Sequence, residues 1–148
     1  MNSEQQIDSA PCELCAEAAG EEVLWRDDKC RVVLVADPDY AGYCRVIWRA
    51  HVKEMTDLAG ADQLHCMRVV MAVERALRNV LEPHKVNLAE FGNLTPHLHW
   101  HIIARDADDA HFPNSIWGAK LRQMPLETAR KPVSRLREQL ACELSNLL

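Results

Sequence analysis

The residues best suited to chemistry in this chain are three histidines that alternate with apolar residues. The segment reads His97-Leu98-His99-Trp100-His101-Ile102-Ile103. Because successive side chains of an extended strand point to opposite faces, the three imidazoles share one face and the apolar residues pack behind them. An imidazole titrates near neutral pH and serves as nucleophile, proton donor or metal ligand. The pattern predicts a strand with a reactive face; the alternative is a half-exposed strand that carries histidines without using them.

A second pattern with chemical potential is the pair Cys12 and Cys15, separated by two residues. Such a pair is half of a zinc site, and by itself it also fits a redox pair or two idle thiols. The polar segment 1–10 carries no signal-peptide pattern, so we expect a cytoplasmic protein whose thiols stay reduced or bind metal. The other cysteines are expected to be small buried hydrophobes or helix residues: Cys30, Cys44, Cys66 and Cys142.

Hydrophobic periodicity predicts the elements that position these residues. The predicted strands are 22–26, 31–36, 43–49, 85–91 and 97–105, and the predicted helices are 62–81 and 130–147. The longer helix has apolar residues every three or four positions, and Pro83 ends it. Strand pairs around one central helix indicate an α+β fold with an antiparallel sheet. Residues 1–10 are expected to form a flexible arm, and residues 11–148 a single domain.

Composition and charge exclude several classes of function. The chain is 48% hydrophobic and 26% charged, as is typical of a soluble globular protein. Its net charge of −5 argues against general electrostatic binding of nucleic acid. No run approaches the roughly 20 apolar residues of a membrane span. A small phosphate-bearing ligand in a local basic pocket remains compatible with this composition.

The histidine segment resembles the signature of the histidine triad (HIT) family, and the resemblance extends over about residues 12–105. The stretch from Asn93 to His101 is similar to that of a bacterial branch resembling diadenosine polyphosphate hydrolases. The resemblance implies a HIT-like fold: a five-stranded antiparallel sheet, one long central helix and a C-terminal helix, usually assembled as a homodimer.

The same resemblance implies a nucleotide hydrolase that cleaves at the α-phosphorus of a nucleotide conjugate. The conjugate is a dinucleoside polyphosphate or a nucleoside phosphoramidate, and the reaction passes through a covalent nucleotidyl-histidine intermediate. Three alternatives stay open. The first is a nucleotidyl transferase or phosphorylase with the same intermediate. The second is a nucleotide-binding regulatory protein with little turnover. The third is a metal sensor built on the two N-terminal cysteines.

The resemblance also assigns a role to each histidine of the segment. His99 attacks the α-phosphorus and becomes nucleotidylated. His101 hydrogen-bonds the phosphate or the leaving group. His97 orients the nucleophile, binds metal, or does both. Many family members complete a structural zinc site with a histidine after the third strand, which is His51 here, so the implied ligand set is Cys12, Cys15, His51 and His97.

Four polar residues are candidates for binding the substrate. The resemblance places Asp37 on the ribose hydroxyls, with a loop-capping role as the alternative. Asn87 is expected to contact phosphate or sugar, or else to be an exposed polar residue. Asn93 stands where many members have glutamine; the alternative is that it only forms the turn. Leu94 stands where a hydroxyl is expected, and Thr95 is expected to replace it from one residue further on.

The remaining candidates carry weaker signals. Arg105 is expected to be a surface charge or a substrate contact. Three histidines without spacing partners are predicted to be solvated: His65, His84 and His111. The loop with Asp108, Asp109 and Trp117 is predicted to lie near the mouth of the active site; the alternatives are a plain surface loop and a carboxylate metal site. Leu64, Met67 and Met71 form either a broader core face or a dimer contact.

Overall fold

The computed structural model describes residues 11–124 and 133–146. Its strands are β1 Glu22–Arg26, β2 Cys30–Leu34, β3 Tyr43–Trp48, β4 Lys85–Glu90 and β5 His99–Arg105. Its α-helices are α1 Gly60–Leu81 and α2 Leu136–Ser145, each preceded by a short 3₁₀ helix, Met55–Asp57 and Val133–Arg135. The strands form one antiparallel sheet in the order β1-β2-β3-β5-β4. The predicted α+β fold, with five strands and two helices, is confirmed.

Both helices cover the same face of the sheet. The main core contains eight buried residues of α1 and three leucines of α2, packed against inward side chains such as Val32, Val46 and Ile102. Leu98 belongs to this core and Trp100 packs against it, as the alternation in the histidine segment predicts. The other face of β5 therefore points away from the helices and carries His99 and His101.

Several element boundaries differ from the sequence prediction. β5 begins at His99 instead of His97, because the His97 amide donates to Thr95 O in a turn and the Leu98 amide donates to Val52 O. The helix α1 begins two residues earlier than predicted and ends at Leu81 as predicted. Glu82 then takes a left-handed conformation, with φ of 48°, ahead of Pro83. The predicted C-terminal helix is a 3₁₀ turn followed by α2; positions 130–132 and 147 lie outside the described residues.

The apolar patch on α1 divides between the core and the surface. Met67 packs against the main core, whereas Leu64 is 62% exposed. The broader core face therefore accounts for Met67, and a dimer contact through Leu64 stays a prediction. None of the helices in the described ranges is long and apolar enough to cross a membrane.

Candidate active site and metal centre

The face of the sheet opposite the helices is covered at its two ends and open between them. At one end, Leu14 from the N-terminal segment packs on Val33 and Ile47. At the other end, Tyr40, Tyr43 and Ile103 form a second small cluster. His99 and His101 lie between the two clusters, with their ring centroids 4.8 Å apart. The two histidines thus line the middle of this face, where both are largely buried.

The hydrogen bonds of His99 leave one ring nitrogen free to act as a nucleophile. Its Nδ1 lies 2.6 Å from the carbonyl oxygen of His97. Because a carbonyl only accepts, Nδ1 carries a proton, and in the neutral form of the ring the lone pair is on Nε2. The backbone of His97 therefore fixes the tautomer of its neighbour two residues along.

His101 is held by a tyrosine on the adjacent strand. The hydroxyl of Tyr43 lies 2.7 Å from His101 Nδ1, and Arg45 NH2 approaches the same hydroxyl oxygen at 3.5 Å. Since this oxygen already faces a donor in the guanidinium, we assign the hydroxyl as the donor to Nδ1, and this assignment puts the ring proton on Nε2. Burial, with further contributions from His99 and Arg45, lowers the pKa of His101 to about 4. His101 is therefore a neutral imidazole with an N–H donor at neutral pH.

A cavity of about 420 Å³ lies over the two histidines. Its walls come from the N-terminal segment, from β3, from the loop after β4 and from Trp117; the lining residues are Glu13, Leu14, Arg45, Phe91, Gly92, Asn93, Leu94, Thr95, His99, His101 and Trp117. Trp117 packs edge-on against Phe91 at 4.6 Å and against His101 at 5.0 Å between ring centroids. The loop that carries Trp117 thus lies at the mouth of the site, as one of the sequence interpretations predicted.

The loop before the histidines reaches the cavity with the side chains that the sequence singled out. Gly92 has a positive φ of 60°, a conformation that glycine adopts without strain. Asn93 and Thr95 both line the cavity, and Leu94 does so while remaining fully exposed. These two candidates for binding the substrate, Asn93 and Thr95, are therefore brought together with His99.

The other two predicted binding residues lie outside the lining of this cavity. Asn87 is on the same sheet face, beside Ile103, and its amide oxygen accepts a hydrogen bond of 2.8 Å from Arg105 NH1. Asp37 follows β2, and its carboxylate accepts from the amide of Asp39 at 2.9 Å. Its charge still reaches the site, because it contributes to the raised pKa of Tyr43, for which burial is the main cause.

Arg105 and Asp109 are neither surface charges nor a metal site. Both are 2% exposed, and the guanidinium contacts the carboxylate through Nε at 2.6 Å and NH2 at 2.9 Å. Burial raises the pKa of the Asp109 carboxyl, but Arg105 and the amides of His111 and Phe112 outweigh it and bring this pKa to about 2. The ion pair ties the end of β5 to the loop that leads to Trp117. The interpretations of Arg105 as a surface charge or a substrate contact, and of Asp109 as a metal ligand, are wrong.

Two histidines predicted to be solvated have partners. His65 Nε2 lies 2.7 Å from the carboxylate of Asp27, which links α1 to the turn between β1 and β2. His111 Nδ1 lies 2.7 Å from the hydroxyl of Tyr40. His84 is exposed, as predicted, and packs edge-on against Phe112. The prediction therefore fails for His65 and His111, whose partners come from distant parts of the chain.

The cysteine pair, His51 and His97 converge on one point beside the active site. Their ligand atoms all lie within 4.8 Å of one another. The separations are 3.4 Å for Cys12 Sγ–His97 Nδ1, 3.3 Å for Cys15 Sγ–His51 Nδ1 and 3.2 Å between the two Nδ1 atoms. Tetrahedral zinc with ordinary Zn–N and Zn–S bonds spaces such atoms by about 3.3–3.6 Å.

The hydrogen bond of His97 to the backbone also suits metal binding. Its Nε2 donates to Trp48 O at 2.6 Å, so the unprotonated Nδ1 faces the two sulfurs. Burial lowers the pKa of this buried histidine, which favours the neutral form that binds metals. Two thiols and two imidazoles form the donor set of closed structural zinc sites. The four residues therefore fit zinc in number, type and spacing.

The family model of the HIT domain matches residues 17–108, which include β1 to β5 and α1. The chain belongs to the HIT family. A curated relative, the AP-4-A phosphorylase of Mycobacterium tuberculosis (strain CDC 1551 / Oshkosh), is 30% identical over 105 residues, which are 67% of this chain and 54% of that protein. The chain thus spans about half the length of the curated relatives that it matches.

Solved structures of HIT proteins share this fold. A histidine triad protein from Bradyrhizobium japonicum is 28% identical, has a TM-score of 0.66, and the match covers 83% of this chain and 90% of that one. A Zn-bound histidine triad family protein from Mycobacterium smegmatis has a TM-score of 0.62 at 22% identity, with 92% and 97% of the two chains covered. The second likeness concerns the fold alone.

Sequence reasoning missed three residues of this candidate site. Arg45 and Tyr43 alternate with core residues on β3 and share the sheet face of His101, because Arg45 pairs with His101 in the β3–β5 register. Phe91 follows β4 and packs against Trp117. The alternation in β3 was a usable signal for Arg45 and Tyr43, but only the strand pairing identifies their partner.

Proposed function

We propose that this HIT protein is a nucleotide hydrolase that cleaves its substrate at the α-phosphorus through a nucleotidyl-His99 intermediate. The observation that carries the proposal is a pair of imidazoles in one cavity whose Nδ1 atoms have opposite kinds of partner, a carbonyl oxygen for His99 and a hydroxyl for His101. His99 has a free Nε2 lone pair, whereas His101 has an Nε2–H donor. One group suits attack on phosphorus and its neighbour suits donation to the phosphate or the leaving group.

The reaction proceeds in two balanced displacements. In the first, the Nε2 lone pair of His99 forms a bond to the α-phosphorus, and the bond from phosphorus to the leaving group breaks with its electron pair. The Nε2–H of His101 donates a hydrogen bond to the phosphate or to the departing atom and keeps its proton throughout. In the second, a water oxygen attacks the α-phosphorus, the P–N bond breaks, and the lone pair returns to His99. Of the two water protons, one passes to solvent, where it balances the proton taken up by the leaving group, and the other leaves with the phosphate of the nucleoside monophosphate.

The surrounding residues supply binding and orientation. Amide and hydroxyl groups of Asn93 and Thr95 are suited to hydrogen-bond the non-bridging phosphate oxygens, which stabilises charge in the transition state. Phe91 and Trp117 present aromatic surface suited to a nucleobase. We propose Asp37 for the ribose hydroxyls, since its charge lies near Tyr43 at one end of the site. Asn87 is a weaker candidate, because its amide oxygen already accepts from Arg105.

We further propose that zinc, bound by Cys12, Cys15, His51 and His97, has a structural role. A closed site with four protein ligands has no open position for substrate, so the metal would stabilise the fold without taking part in catalysis. The metal would hold the N-terminal segment, including Leu14, against the sheet beside the active site. It would also fix the ring of His97, whose carbonyl oxygen orients His99.

A second candidate function is phosphorolysis, in which inorganic phosphate instead of water accepts the nucleotidyl group from His99. It is favoured by the curated relative from M. tuberculosis, which is named AP-4-A phosphorylase. The nucleotidyl-His99 intermediate is the same in both reactions, and the acceptor alone decides between them. With diadenosine tetraphosphate, hydrolysis at the α-phosphorus gives AMP and ATP, whereas phosphorolysis gives ADP and ATP.

The test is mass spectrometry of the protein after rapid quenching with diadenosine tetraphosphate. We expect an adenylyl increment on the peptide that contains His99, and no increment in His99→Ala. The His99→Ala variant should lose turnover, whereas His101→Ala should lose about 10²–10³-fold in rate. Chromatography of the products with and without phosphate then identifies the acceptor. Turnover by His99→Ala within tenfold of the wild type would refute the covalent mechanism.

A further inference from the structure

Arg45 is a cation that lines the proposed active-site cavity. It lines the cavity with His99 and His101, and its Nε is shielded from solvent with no hydrogen-bond partner. Among the residues the structure describes, no carboxylate makes an ion pair with it; the neighbouring arginine on β2, Arg31, pairs with Glu21 at 2.9 Å. A shielded donor without an acceptor costs free energy, which a bound anion would recover.

The position of Arg45 identifies which part of a substrate it faces. In the antiparallel register of β3 and β5, Arg45 lies opposite His101, whereas Ile47 lies opposite His99. The α-phosphorus must lie at His99, the attacking residue. Arg45 is therefore offset from the reacting phosphorus, toward the histidine assigned to the phosphate or the leaving group.

Guanidinium chemistry matches a phosphate chain at this place. Arginine offers planar paired N–H donors that fit phosphate oxygens, and it stays charged at every physiological pH. Glu13 also lines the cavity, but it is exposed, so solvent screens its negative charge and its repulsion of a bound anion is weak. An amine leaving group, as in a phosphoramidate, would bring no negative charge to Arg45.

We propose that Arg45 binds the phosphate that follows the α-phosphate, so that the preferred substrate carries at least two phosphates in a row. The inference rests on the proposed function and narrows its substrate class to dinucleoside polyphosphates and related pyrophosphate-linked nucleotides. During the first displacement, the P–O bond to the β-phosphate breaks and its electron pair stays on the departing oxygen. Arg45 stabilises the negative charge that grows on this leaving group.

The test compares three probes by calorimetry: adenosine, AMP and ADP. Arg45→Met removes the charge and keeps an extended apolar side chain, Arg45→Lys keeps the charge without the paired donors, and Arg68→Met removes an exposed arginine of α1 as the control. We expect Arg45→Met to weaken the binding of ADP by about 10- to 100-fold, and the binding of AMP and adenosine by less than threefold. Arg45→Lys should recover part of the loss, and Arg68→Met should bind all three probes like the wild type.

Each other outcome overturns the proposal in a distinct way. If Arg45→Met loses as much affinity for AMP as for ADP, Arg45 contacts the α-phosphate instead. If it loses as much affinity for adenosine as well, Arg45 contacts the nucleoside. Unchanged ADP binding in a folded Arg45→Met variant, as judged by thermal melting, would exclude phosphate binding; if this variant unfolds, Arg45→Lys must weaken the binding of ADP more than that of AMP for the proposal to stand. If the wild type forms nucleotidyl-His99 in these cases, only the role of Arg45 fails. If the wild type binds no probe and forms no adduct, the proposed function fails with it.

Discussion

Replacing Asp109 by asparagine should destabilise the fold by about 2–5 kcal/mol at pH 7. The carboxylate accepts hydrogen bonds from Arg105, Tyr40 and three backbone amides. Its pKa falls from 3.8 to about 2 on folding, and at about 1.4 kcal/mol per pKa unit this drop alone is worth about 2 kcal/mol. Leaving the Arg105 guanidinium buried without its counter-charge raises the cost toward the 3–5 kcal/mol typical of a broken buried pair.

The assay is urea denaturation of the wild type, Asp109→Asn and Asp108→Asn. Asp108 is exposed, so its variant makes the same chemical change one residue away and should stay within about 0.5 kcal/mol of the wild type. A depressed carboxyl pKa stabilises the folded state fully above the unfolded value. The difference between wild type and Asp109→Asn should therefore hold from pH 7 to about pH 4 and shrink as the pH falls toward 2.

Two results would refute this reasoning. If Asp109→Asn and Asp108→Asn unfold at the same urea concentration, the buried ion pair contributes nothing to stability. If the difference between wild type and Asp109→Asn is as large at pH 2 as at pH 7, it does not come from the ionised carboxylate. Groups that titrate in both proteins, such as the cysteine–histidine cluster, cancel in the comparison.

Three further outcomes are expected. Purified protein should carry about one zinc per chain; Cys12→Ser should lose it and melt at lower temperature, whereas Cys142→Ser, on the exposed side of α2, should keep it, as measured by elemental analysis and calorimetry. Because the pKa of His101 is about 4, pH–rate profiles of kcat/KM should show no loss from His101 protonation between pH 5 and 8. Tyr43→Phe, which removes the hydroxyl that contacts His101, should lower kcat about five- to tenfold with little change in melting temperature. Ribonucleotides should outcompete 2′-deoxyribonucleotides by roughly 1–3 kcal/mol, and Asp37→Ala should erase this preference in a competition assay; equal binding by the wild type would remove Asp37 from the site.

The histidine segment shows how much of the site was accessible from sequence. Alternation with a period of two is a local property of the chain, so it predicted correctly that Leu98 and Ile102 pack in the core while His99 and His101 face the other way. The long helix and its end before Pro83 were equally local, since periodicity and the proline restriction act within a few residues. The predicted fold class followed from the order of these elements.

The charged residues show what local patterns leave open. Arg105 and Asp109 are four residues apart, a spacing that carries no information in a loop, and their burial depends on Tyr40 and Asn87 from other elements. His65 finds Asp27 across 38 positions in the same way. Whether an ionisable side chain is solvated or paired is a property of the packed structure, because the partner comes from a distant part of the chain.

The sequence by itself determined which residues can do chemistry and that His99 and His101 lie on one strand face, because side-chain type and strand alternation are local properties of the chain; His97, expected on the same face, lies before β5 in the cysteine–histidine cluster. Only the tertiary structure decided how they work together. The β3–β5 register sets Tyr43 and Arg45 beside His101, and the turn at Thr95 aims the carbonyl of His97 at His99. These contacts fix tautomers and pKa values, and they exist only once strands from separate parts of the chain have paired in one register.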